Sequence, residues 1–147
     1  MLIKSTALGE IEVEQELIYR FPSGLPGFEH LREFAIIQPD PQLPFHYLVS
    51  TGDPNVSLVA ANPFAFYLDY AFTLPDPVKA ELNIAREAQV QVLNVVSIRE
   101  RLEDSTINLL APIVLNIEDK LGKQVILHHS DYRSRHPLIA AAAEKGE

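Results

Sequence analysis

A chain of 147 residues, 47% apolar and 22% charged, has the length of one compact domain and can bury a core without a covalent staple. Its 12 basic and 20 acidic residues leave a net charge of −8, a field that repels phosphate backbones and attracts basic partners. Without a cysteine it has no disulfide frame, thiolate nucleophile or cysteine-ligated metal. No apolar run approaches the roughly 18 residues of a membrane span. Glu10, Glu12, Glu14 and Glu16 stand where a signal peptide needs an apolar stretch, so a cytoplasmic setting is expected. Residues 1–80 hold four basic and ten acidic side chains, so most of the negative charge lies in the front half.

Period-two alternation dominates and predicts strands. Leu2–Ser5 and Gly9–Val13 read as two strands joined by a short turn, the second with Glu10, Glu12 and Glu14 on one face and Ile11 and Val13 on the other. Leu17–Phe21 follows and stops at Pro22; Glu33–Ile37, Phe45–Ser50 and Val56–Ala60 are three more strands bounded by Pro, Gly or Asp. The single predicted helix runs from Asp76 to Leu82, with Asp76 as N-cap and Pro77 at the first helical position. Val90–Ile98 is a long strand apolar on both faces, and Ile107–Ile117 is another, interrupted by Pro112. Glu118–Gly122 is expected as a turn, returning Lys123–Leu127 as the second arm of a hairpin. Eight or nine short strands with proline-rich turns predict an all-β, mainly antiparallel fold. The expectation is a single domain, a small barrel or sandwich, over residues 1–138 with one short helix, and a flexible tail over 139–147.

Motifs that carry chemistry are missing. His30, His46, His128, His129 and His136 show no helical ligand pair, and packing is the preferred role for them. Gly122-Lys123 lacks the glycine and the hydroxyl of a phosphate loop, since Ile117 and Gln124 fill those positions; Lys123 reads as a solvated residue after a turn. No Gly-x-Ser-x-Gly elbow is present. No catalytic residue, metal or cofactor is assigned. Arg133, Arg135 and His136 are too thin a patch for nucleic acid and are expected to pair with acidic residues.

Two features read as binding surface. The carboxylates Glu10, Glu12 and Glu14 face few cross-strand cations in this half of the chain, and a basic partner would be drawn to them. The segment Asn108–Asn116 carries Pro112, which cannot donate to a ladder, so it is expected at an edge or at a bulge. Such an apolar edge needs cover, from the Asp76–Leu82 helix or from an added partner strand. The rings of Phe64, Phe66, Tyr67, Tyr70 and Phe72 are expected mostly in the core.

The stretch Phe21-Pro22-Ser23-Gly24-Leu25-Pro26-Gly27-Phe28-Glu29 resembles the signature of the FliW family of bacterial flagellar assembly factors. The resemblance starts at Gly9–Val13 and continues through Asn62-Pro63-Phe64-Ala65-Phe66, Asp69-Tyr70, Asn108–Asn116 and Gly122-Lys123-Gln124-Val125. It closes on Tyr132, Arg135, His136 and Pro137. It implies a β-rich, barrel-like monomer without enzymatic activity. It further implies binding to CsrA, a small basic RNA-binding translational repressor, which relieves repression of flagellin synthesis, and binding to flagellin. Candidate CsrA contacts are Glu10, Glu12, Glu14, Asp69 and Asp76; candidate flagellin contacts are Asn108, Leu110 and Pro112. RNA is displaced either by occupation of its site or from elsewhere on the repressor, and the family's behaviour resembles the second. The alternatives are a simple flagellin chaperone, or an enzyme or metal protein whose site gathers His46 and His128 only in three dimensions.

Overall fold

The structure, a computed structural model, describes residues 1–139; apart from Ile139, the expected tail lies outside the described residues. The strands are β1 (Leu2–Ser5), β2 (Gly9–Glu12), β3 (Ile18–Arg20), β4 (Glu33–Ile37), β5 (Phe45–Ser50) and β6 (Ser57–Ala61). They continue as β7 (Val90–Ser97), β8 (Thr106–Ile107), β9 (Ile113–Asn116), β10 (Leu121–Gln124) and β11 (His136–Pro137), with the helix α1 (Asp76–Glu81) between β6 and β7. Strands β3 to β7 form an antiparallel meander. β7 pairs with β9, β9 with β10, and β10 meets β3 in parallel where Leu121 faces Arg20. Seven strands therefore close on themselves as a barrel, one of the two architectures left open by the alternation and the one implied by the family resemblance. β8 and β11 extend the far end of β7, and β1–β2 is a separate hairpin.

Most barrel strands carry apolar residues on both faces for a reason visible in the packing. Tyr19, Phe34, Ile36, Leu48, Leu93, Ile113 and Leu115 fill the barrel interior. Their alternate neighbours face outward into two covering layers. On one side the hairpin lays Ile3 and Val13 on Ile18, Ala35 and Val49. On another, α1 brings Val78 and Leu82 to Val96, Val114 and Leu138, with Tyr70 among them. Small barrels with one wet face show strict alternation; this one is wrapped, so long apolar runs such as Val92–Val96 result.

Several local expectations are corrected. Ile107–Ile117 is not one strand. Asn108 Oδ1 accepts the amides of Leu110 and Ala111 at 3.1 and 3.0 Å, and Pro112 removes the next donor, so the chain bends between β8 and β9. Nor is this segment an edge: β9 lies between β7 and β10 with all four residues buried, so its cover is the barrel itself. The hairpin turn occupies residues 117–120 and β10 begins at Leu121 rather than Lys123; beyond Gln124, the Val125 and Leu127 amides bond Pro112 and Leu110 carbonyls instead. Asp76 is the first helical residue, and the N-cap is Pro75, without a side-chain cap. At the other end Asn83 takes φ 57°, and the side-chain amide of Asn116 donates to the carbonyls of Leu82 and Asn83 at 2.7 and 3.2 Å, satisfying acceptors that a helix end leaves open.

The proline–glycine stretch after β3 is a compact loop anchored by buried Phe21 and Leu25. Gly24 has φ +67°, and a Cβ there would sit 2.6 Å from Glu29 Cα. Gly27 has φ +87° but open space around it. The Arg32 guanidinium donates to the Pro22 and Glu29 carbonyls at 2.5 and 2.9 Å, tying the loop's two ends. Lys123, expected to be solvated, instead pairs with Glu81 Oε2 at 3.2 Å. Ser23 Oγ lies 3.3 Å from both, so loop, helix and β10 meet in one polar joint.

Candidate functional surfaces

The hairpin turns its charged face away from the barrel. Ile11 is half-buried and Val13 is 3% exposed, while Glu10, Glu12 and Glu14 are exposed. β2 ends at Glu12, but Glu14 keeps an extended backbone (φ −69°, ψ 146°), so the alternation continues through it. The row has more cationic company than expected. Lys4 stands opposite Glu10 in the register, and the amino group of Met1 bonds Glu12 Oε1 at 3.0 Å and the Val13 carbonyl at 2.8 Å. Glu12 is 75% exposed in that pair, so screening leaves it little stabilising value and much of its negative potential.

The fold does not gather the five candidate carboxylates. Asp76 opens α1, and Asp69 precedes Tyr70, which packs in the α1 layer rather than the hairpin layer. Both are exposed. Asp69 follows Leu68, which at 87% exposure is the barest large apolar side chain among the described residues.

The bend at residues 108–112 is held from every side. The Asn94 amide donates to the Asn108 carbonyl at 2.7 Å and to Tyr70 Oη at 3.2 Å. The Tyr70 hydroxyl donates to the Leu109 carbonyl at 2.7 Å, and burial pushes its pKa up to about 12. The amides of Leu109 and Leu110 donate to the Arg133 carbonyl. Of the three candidate flagellin contacts, Pro112 is buried, while Asn108 and Leu110 are half-buried. Asn108 spends its side chain on the bend, which leaves Leu110 as the apolar group at the surface.

Of the aromatic run, expected mostly in the core, only Tyr70 is buried. Tyr70 is 4% exposed and Phe66, Tyr67 and Phe72 pack half-buried around it, whereas Phe64 is 41% exposed. Arg133 and Arg135, expected in ion pairs, make none among the described residues; the Arg133 amide donates to His136 Nε2 at 2.8 Å instead. His46 lies in the barrel wall at 8% exposure while His128 is exposed, so the fold does not bring them together. Among the described residues no three His, Cys, Asp or Glu side chains gather as a metal would require.

The fold is found in known proteins. The FliW protein family matches residues 2–138. The chain belongs to the FliW family. It is similar to the flagellar assembly factor FliW of Desulfitobacterium hafniense, with 40% identity covering 99% of this chain and 96% of that one. It is also similar to the FliW of Oceanobacillus iheyensis, with 36% identity over the whole of both chains. A solved structure, the crystal structure of the flagellar assembly factor FliW, superimposes with a TM-score of 0.87 at 34% identity, covering 94% of this chain and 96% of that one. The family likeness spans the hairpin, the proline–glycine loop and the bend, so the acidic row and the Leu110 bend are parts of a FliW-type flagellar assembly factor.

Sequence reasoning missed the Ser23–Glu81–Lys123 joint and the capping by Asn116. It also missed the exposed apolar side chains Leu43, Ile98 and Leu102 in the segments flanking β5 and β7. The joint and the cap left no local signal, since their partners lie 33 to 100 residues away. Leu102 did leave one, as an apolar residue inside the charged run Arg99–Asp104.

Proposed function

We propose that this protein is a non-enzymatic, cytoplasmic, monomeric flagellar assembly factor. In this reading it binds the translational repressor CsrA and flagellin, coupling flagellin synthesis to assembly of the flagellum. The observation that carries the reading is the outward row of Glu10, Glu12 and Glu14 on a chain of net charge −8, suited to a basic partner. A partner steered by such a row associates faster at low salt. Once bound, the acidic body lowers RNA occupancy by repulsion felt over about one Debye length, roughly 8–10 Å at physiological salt, and need not cover the RNA site itself. Asp69 and Asp76 add to the negative field from the α1 layer. Flagellin meets the bend at Asn108, Leu110 and Pro112, with Leu110 as the direct contact and the other two holding its position.

Calorimetric titration into CsrA from the same organism, at low and high salt, tests the reading. Binding is expected to weaken with salt, to lower RNA occupancy, and to fall by about tenfold or more when Glu10 and Glu14 are both changed to Lys. No heat at either salt, with flagellin binding retained, would reduce the protein to a flagellin chaperone without a regulatory role.

A further inference from the structure

Two apolar grooves on the outer barrel wall meet at Pro39 and Tyr47, which line both. The first, about 480 Å³, lies between hairpin and barrel on Ile11, Val13, Leu17 and Ile37. The second, about 370 Å³, crosses β5 and β6 to the segment after β7 on Leu43, Phe45, Val59, Ile98 and Leu102. Together they make one trough. Leu17, Leu43, Ile98 and Leu102 are 39%, 51%, 49% and 49% exposed along it, an apolar strip of the sort that soluble proteins keep for partners.

The charge around the trough says what kind of partner. Glu12 lines the first groove and Asp40 the second. Among the described residues no cation is ion-paired to Asp40, and Glu12, 75% exposed, meets only the Met1 amine. At the far end Arg101 is held by Glu103 and Asp104. The middle of the floor offers side chains only, because Tyr47 of β5 lies between β4 and β6, paired on both sides. A strand cannot be added there, so the occupant must insert a stripe of side chains. From the hairpin across β4 to β7 the trough spans roughly 20 Å at about 4.8 Å per strand, the length of a helix of about 14 residues.

We propose that this trough docks an amphipathic helix of a partner protein, with its apolar stripe on Leu17, Tyr47, Leu43 and Leu102 and its Lys or Arg flank against Glu12 and Asp40. The inference shares Glu12 with the functional reading above but stands without it, and its test uses neither CsrA nor flagellin.

The test is fluorescence anisotropy with dye-labelled peptides titrated with the full chain. The peptide is an amphipathic Leu/Lys helix of about 14 residues. Its controls are a Leu/Glu helix with the same stripe and a Leu/Lys peptide of equal composition with the stripe scrambled. The striped Leu/Lys peptide is expected to bind at least about tenfold tighter than either control, and to lose severalfold in affinity between about 50 and about 300 mM salt. Changing the exposed Leu43→Glu and Leu102→Glu together is expected to reduce binding about tenfold or more, with urea unfolding confirming that the fold is intact. Equal binding of the scrambled peptide would mean that charge alone is read, and would overturn the proposal. So would equal binding of the Leu/Glu helix, indifference to the double variant, or no binding of the striped peptide.

Discussion

Replacing Gly24 by alanine separates two physical demands that the proline–glycine loop makes on one residue. Its φ of +67° is a left-handed conformation that costs an L-residue about 1–2 kcal/mol. Its missing Cβ would lie 2.6 Å from Glu29 Cα and 2.7 Å from the Glu29 carbonyl oxygen. That overlap is with backbone held by the Arg32 contacts, so relief requires the loop to shift, at about 1–3 kcal/mol by analogy with overpacked cores. The total for Gly24→Ala is about 2–5 kcal/mol, a large share of the roughly 5–15 kcal/mol that holds a domain folded. Gly27→Ala meets the conformational term alone, because nothing lies within 4 Å of its added carbon, and should cost about 1–2 kcal/mol. Asparagine tolerates the left-handed region, so Gly27→Asn should be close to wild type while Gly24→Asn stays impaired. Urea unfolding followed by circular dichroism measures all four, a loss of 3 kcal/mol moving the midpoint by about 1–3 M. If Gly24→Ala cost no more than Gly27→Ala, the close approach to Glu29 would not be what selects glycine there.

Asn116, fully buried, satisfies the carbonyls of Leu82 and Asn83 and the amides of Glu118 and Asp119. Asn116→Ala strands those groups and should lower unfolding free energy by about 2–4 kcal/mol in urea titration. Tyr70→Phe removes the hydroxyl that bonds the Leu109 carbonyl and the Asn94 amide, an expected loss of about 1–2 kcal/mol by the same assay. Burial holds the His46 imidazole below its ordinary 6.5, so the unfolded chain takes up a proton before the folded one does. Stability is therefore complete above about pH 6.5 and falls as pH drops toward the folded value. His46→Leu should flatten part of that slope in melting temperatures taken between about pH 7.5 and 5, leaving the part due to His136, which burial lowers in the same direction.

Most barrel strands were legible in the sequence because alternation reports a local fact, which residues share a face. Glu33–Ile37 and Phe45–Ser50 were read to the residue. Where reading failed, a side chain had taken over the backbone's hydrogen bonds. Asn108 folds its own amides into a bend that breaks the expected strand, and Asn116 caps a helix end more than thirty residues away in sequence. Asparagine has the same propensities in either place, and only the contact reveals which job it does. The acidic row was read correctly as a face, but its neighbours Lys4 and the Met1 amine depended on register.

The sequence by itself determined the class of protein: an acidic, cysteine-free, β-rich domain with a proline–glycine loop whose backbone few residues other than glycine can adopt. Composition and periodicity are sums over neighbours along the chain, and they survive without knowledge of the fold. The tertiary structure alone decided that Arg20 and Leu121 close the barrel, that Pro112 is buried rather than at an edge, and that Leu43, Ile98 and Leu102 line one trough. Each of these depends on what lies across space from a residue, and apolar patterning fixes that a side chain needs cover without fixing what supplies it.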